Sequence, residues 1–152
     1  MCSSDLAHVK KTYVSLKKNA CLDLQIRKPR APEWLAENLD NPFRAWDGSE
    51  FVTPANARRA AALYKKTRAE FRAILNAPDA AATLPDYLEK FVRDWAATFN
   101  AWDRRANWIE TEERETICEV VDKFLIEADR RHPSASVDVS KLSSLFDELR
   151  DF

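Results

Sequence analysis

From Asp86 to Arg131 the sequence runs for about 46 residues without a glycine or a proline, and apolar residues recur through it in helical phase: Leu88, Phe91, Trp95, Phe99, Trp102, Ala106 and Ile109, then Ile117, Val120, Phe124 and Ala128. Nothing in the run is a turn signal, so the chain there is helical. Unbroken, such a helix would be about 70 Å long, well beyond the usual length in a compact domain. The sequence offers one place to break it, between Asn107 and Thr111. There Thr111 can cap a second helix whose first turn holds Glu112, Glu113 and Glu115, acids suited to the positive end of a helix dipole.

The prolines divide the rest. Thr53-Pro54 reads as a capping hydroxyl followed by proline at the first helical position, opening a helix that continues to about Ala77. Its buried stripe is Ala57, Ala60, Leu63, Tyr64, Thr67, Phe71, Ile74 and Leu75. Pro32 and Pro85 also read as openers, the first for a short helix to Leu39. Pro29, Pro78 and Pro133 read as stops, and Ala80-Ala81-Ala82 as a connector. Pro42 falls in a loop from Asp40 to Val52 whose aromatics, Phe43, Trp46 and Phe51, are expected to plug a core.

At the N-terminus, Leu6, Val9, Tyr13, Leu16 and Ala20 form a narrow stripe that predicts a helix from Ser4 to Ala20, with Lys10, Lys11, Lys17 and Lys18 facing water. Leu22 to Lys28 alternates as a short strand would, and Val137-Asp138-Val139 is the only comparable segment. The two could pair as a very short ribbon, although an extended linker is the simpler reading of the first. A last helix from Asp138 or Ser140 to Arg150 should bury Leu142, Leu145, Phe146 and Leu149. The predicted fold is therefore all-α: a compact bundle of five to seven helices in one domain, residues 1–152. Residues 1–30 form its basic N-terminal helix and extended segment, and residues 31–152 the main bundle.

Composition removes most enzyme classes. Dinucleotide fingerprints, phosphate loops and nucleophile elbows need several glycines at fixed spacing, and this chain has one, Gly48. Its two histidines, His8 and His132, sit in a lysine-rich face and at a helix end, where they read as surface and cap residues. Cys2, Cys21 and Cys118 are odd in number and far apart, which suggests neither disulfides nor a zinc site, and Cys118 reads as a small buried hydrophobe. One Asp129-x-x-His132 has no second copy, so no metal is expected. Glu110 and Glu113 read most simply as exposed at the helix break, with an ion pair to arginine or lysine, or a metal, as the alternatives. No apolar run reaches the length of a signal peptide or a membrane span, so the expectation is a cytoplasmic chain with no cofactor and no membrane partner.

What remains is binding. The net charge of −1 conceals a dipole: 14 Lys+Arg against 8 Asp+Glu up to Pro78, then 10 against 17. Trp108 falls off the stripe of Trp95 and Trp102, flanked by Arg104 and Arg105 and followed by Glu110, Glu112, Glu113 and Glu115. This has the composition of a docking anchor with acidic steering toward a basic protein surface. The alternative is a central helix that packs on both sides. A second candidate is the basic face of Arg58, Lys65, Arg68 and Arg72, which could hold nucleic-acid backbone or simply be solvated. The sequence thus points to a non-enzymatic protein-binding module acting through helix faces, in the manner of inhibitors, immunity proteins and small adaptor subunits. A nucleic-acid-binding subunit is the alternative, and a homodimer is possible.

Overall fold

The computed structural model describes residues 32–152. The predicted N-terminal helix and the Leu22–Lys28 segment lie outside these residues. Five α-helices follow in order: α1 (Pro32–Glu37), α2 (Pro54–Leu75), α3 (Ala80–Asp103), α4 (Thr111–Arg131) and α5 (Val139–Leu149). Single 3-10 turns occur at Pro42–Trp46 and Pro133–Ala135. The fold is all-α, and no strand occurs among the described residues. Val139, expected in a ribbon, opens α5, because the Asp138 carboxylate accepts the Lys141 N–H at 2.9 Å and caps a helix there.

The helix starts follow local chemistry. Thr53 Oγ1 accepts the Asn56 N–H at 3.2 Å and Pro54 takes the first helical position, as the sequence predicts. Two expectations fail together at α3. Pro85 does not open this helix, and Ala80–Ala82 is not a connector but the first turn. Alanine has the highest helix propensity, Ala80 is buried, and the carbonyl that Pro85 cannot pair belongs to exposed Ala81, where water can reach it. Starting early lets Leu84 and Leu88 both enter the core.

Side chains of α2, α3, α4, α5 and the Pro42–Trp46 turn share one hydrophobic cluster. Phe43, from the turn, is fully buried, with its ring 4.6 to 6.2 Å from those of Trp46, Tyr64, Trp95 and Phe99. Phe124 of α4 plays the same part against Tyr64, Phe71, Phe91 and Trp95. Trp95 also donates its indole N–H to Thr67 Oγ1 at 3.1 Å, so the polar edge of a buried ring joins α3 to α2. α5 lies across α3 and α4 with Leu142 and Phe146 buried and Leu145 and Leu149 only partly so. Asn100 fastens the chain end, donating to the Leu149 carbonyl at 2.9 Å and accepting the Asp151 N–H at 2.7 Å.

Between α2 and α3, Tyr87 stacks on Phe71 with its phenol half-buried. Burial, and next the Glu70 carboxylate, push its pKa up to about 12. An alkaline titration followed by phenolate absorbance should show one of the three tyrosines ionising near 12 rather than 10, and Tyr87→Phe should remove that step. Because the neutral form is the one the fold favours, Tyr87 contributes stability fully below pH 10 and loses it as pH rises through 12.

Candidate functional site

The break in the long helical run covers the predicted Asn107–Thr111 stretch but begins earlier, after Asp103, and its chemistry decides what the region can do. α3 ends at Asp103, whose carboxylate Oδ1 accepts the backbone N–H groups of both Trp108 and Ile109, each at 2.9 Å. Asn107 between them takes a left-handed φ of 45°, a conformation that asparagine tolerates. α4 then starts one residue earlier than expected. Glu110, not Thr111, is the N-cap, because Glu113 reaches back to accept the Glu110 N–H at 3.2 Å.

This turn carries Trp108 into the core. The side chain is 5% exposed, its indole N–H donates to the Trp102 carbonyl at 3.1 Å, and its ring meets the edge of Trp46 at 5.6 Å. Trp108 is therefore no surface anchor but a core residue packed edge-on against Trp46. The helical-wheel reading placed it on a second face by assuming that the helix continues through residue 108, whereas the helix has already ended. Glu113 is also buried, at 3%, and is spent on structure: its Oε1 accepts from Ser49 Oγ at 3.3 Å while its Oε2 caps the helix. Of the other predicted residues, Glu110 and Glu112 are exposed beside this loop, and Glu115 is exposed one turn further along α4. Arg104 and Arg105 are exposed on the turn after α3.

Opposite the α4 N-terminus, Gly48 turns the chain with a φ of 91°, and the next residues lead to Val52, which is buried. With Val52 pointing inward, neighbouring Phe51 is left outside, 54% exposed. The loop and the helix start flank an open cavity of about 680 Å³ whose wall combines Trp46, Phe51 and five carboxylates, those of Asp47, Glu50, Glu110, Glu112 and Glu113, and among the described residues it includes no lysine or arginine. Phe51, Asp47 and Glu50 were not legible as site residues. Loop aromatics usually plug cores, as Phe43 and Trp46 do here, and only the direction of Val52 tells Phe51 apart from them.

The basic face of α2 is divided, two of its four residues paired and two exposed. Arg68 makes a two-pronged pair with Glu127 of α4 at 2.6 and 3.3 Å, with its guanidinium near the rings of Phe71 and Phe124. Lys65 pairs with Glu37 at 3.3 Å. Arg58 and Arg72 are exposed and make no ion pair among the described residues.

The candidate acid–base and thiol groups are similarly occupied. His132 ends α4, and its Nε2–H donates to the Leu75 carbonyl at 2.8 Å. Cys118 is half-buried, and that burial pushes its thiol pKa up, away from the reactive thiolate. Among the described residues no group of three or more His, Cys, Asp or Glu is placed to hold a metal ion, and no helix is long and apolar enough to cross a membrane. Comparisons with protein families, with curated proteins and with solved structures find no match.

Proposed function

We propose that this protein is a non-enzymatic binding module of the inhibitor, immunity-protein or small-adaptor kind, and that the cavity around Phe51 receives a basic segment of its protein partner. The observation that carries this reading is the exposed aromatic ring of Phe51 beside the exposed carboxylates of Glu50, Glu110 and Glu112. A few buried anchors, often aromatic, dominate the energy of protein interfaces, and a concentration of charge of one sign steers a partner of the other. The surface is also held in shape, since Trp46 in its wall packs on Trp108 and Glu113 ties Ser49 to the start of α4. The commitment of Lys65 and Arg68 to ion pairs makes nucleic-acid backbone the weaker reading.

Phe51→Ser should reduce partner affinity by about tenfold to thirtyfold, as expected for an anchor worth about 1.4 to 2 kcal/mol. It should move the unfolding midpoint little, because the ring is exposed. The check is retention of proteins from native lysate on the tagged chain at low and high salt, comparing the parent with Phe51→Ser. A stoichiometric protein held by the parent, free of nucleic acid and lost with the variant, is the expected result. The same protein held equally by both would remove Phe51 from the interface. Nucleic acid released steeply by salt would transfer the assignment to Arg58, Lys65, Arg68 and Arg72.

A further inference from the structure

The outer face of α4 carries a charge pattern that the cavity at Phe51 does not use. At about 100° per residue, Ile126 stands in the middle of the exposed positions of this helix, with its side chain out in solvent. Asp122 and Asp129 fall about 40° and 60° to one side of it, and Arg130 and Lys123 about 40° and 60° to the other. The C-terminal half of α4 thus presents an apolar centre between an acidic edge and a basic edge. The acidic edge adjoins α5, where Ser143 Oγ donates to Asp122 Oδ1 at 2.6 Å. The basic edge borders a groove of about 560 Å³, lined by Tyr64, Val120 and Phe124 and closed on its far side by Leu39. Leu39 is 67% exposed and Ile126 56%, and both belong to this groove. Leu39 is held out by a fixed turn, since neighbouring Asn41 donates to the Ala61 carbonyl of α2 at 2.9 Å.

We propose that this face binds a second copy of the chain, with the two α4 helices parallel and crossing at Ile126. Charge selects both the occupant and its orientation. When two copies of one helix face meet in parallel, the two-fold axis runs along the helices and sets each basic edge against the partner's acidic edge. In an antiparallel meeting the axis runs across the helices, and like edges meet. An acidic and a basic edge on either side of an apolar centre are therefore self-complementary in the parallel arrangement alone. Each Ile126 then enters the groove beside the other, between the basic edge and Leu39. Lys123 is free to turn to the partner, because its pair with Glu119 at 3.6 Å joins side chains 74% and 70% exposed and is worth little. Glu112, Glu115 and Glu119 are exposed along the N-terminal half of α4, so like charge drives the two helices apart there and they cross rather than run side by side. The apolar contact is small, which makes the dimer weak and dependent on its charges.

The test is sedimentation equilibrium of the full chain from about 1 μM to about 1 mM, on the parent and on two charge-reversed variants, Lys123→Glu/Arg130→Glu and Asp122→Lys/Asp129→Lys. The expected result for the parent is a reversible monomer–dimer equilibrium whose dissociation constant rises about threefold or more between about 50 mM and about 500 mM salt. Each variant alone should associate at least tenfold more weakly, and an equimolar mixture of the two should recover the dimer, which also shows that both variants fold. A parent that stays monomeric to the highest concentration would overturn the proposal, leaving the face to another occupant. So would a dimer that either variant forms as well as the parent, a mixture that recovers nothing, or a parent dimer that salt strengthens, since that would mean that like edges meet. Phe51→Ser leaves this face intact and should dimerise as the parent does, so the outcome here and the fate of the proposed function are separate.

Discussion

Trp108→Ala lowers the stability of the protein by about 3–5 kcal/mol, the range for truncating a large buried aromatic side chain, and does so with no partner present. The size of the effect follows from the surroundings. Truncation empties the space beneath Trp46, removes an edge-on ring contact at 5.6 Å, and leaves the Trp102 carbonyl without the indole N–H that meets it at 3.1 Å. Trp108→Phe keeps a ring in the space and loses mainly the hydrogen bond, so its cost should be nearer 1 kcal/mol. Urea unfolding followed by far-ultraviolet circular dichroism measures both, with slopes unchanged and midpoints shifted. If Trp108→Ala changed stability by less than about 0.5 kcal/mol, the ring would have to be exposed in solution, and its role as a docking anchor would return. Partner binding by the alanine variant should weaken as well, but indirectly, because Trp108 packs on Trp46, which lines the cavity beside Phe51.

The contrast between Trp108 and Phe51 shows what could be read in the sequence. Periodicity reports which residues share a side of a helix. It therefore placed the stripes of α2, α3 and α4 well, but it runs on in phase through the break, which only the excessive length and the capping signal at Thr111 reveal, and the helix ends earlier than that signal suggests, at Asp103. It fails for residues just beyond a helix end, where direction is set by the connecting turn. Trp108 is such a residue, and so is Phe51, whose exposure is decided by its neighbour Val52 entering the core. The acids were legible as a group because helix N-termini favour them. Their division of labour was not, since the burial of Glu113 depends on Ser49, 64 positions away. Pro85 misled for the opposite reason. Its local rule is sound, but the preceding alanines and the burial of Leu84 and Leu88 outweigh one missing hydrogen bond near an exposed carbonyl. Likewise, the basic face of α2 reads as a footprint only until Glu127 and Glu37, both distant in sequence, are placed beside Arg68 and Lys65.

Asp103→Ala should cost about 2–5 kcal/mol, because it strands two buried donors at once and each unpaired group is worth about 1–3 kcal/mol. The side chain is 8% exposed, and one of its oxygens receives both the Trp108 and the Ile109 N–H, so no second acceptor is already in place. Asp103→Asn keeps a carbonyl oxygen at the same point and gives up the charge, exchanging charge-assisted bonds for ordinary ones. Its cost should be about 1–2 kcal/mol. Urea midpoints order the three proteins, and hydrogen exchange at Trp108 and Ile109 localises the damage, with both amides opening in Asp103→Ala before the middle of α3 does. Equal stability of Asp103→Ala and the parent would mean that water replaces the carboxylate and that the turn is open to solvent. The same substitution also reaches the surface. Asp103 holds the turn that sets where α4 begins, and the α4 start positions Glu110 and Glu112 opposite Phe51. Loss of the carboxylate should therefore weaken partner binding without any change at the docking surface itself, and Asp103→Asn should recover most of that binding.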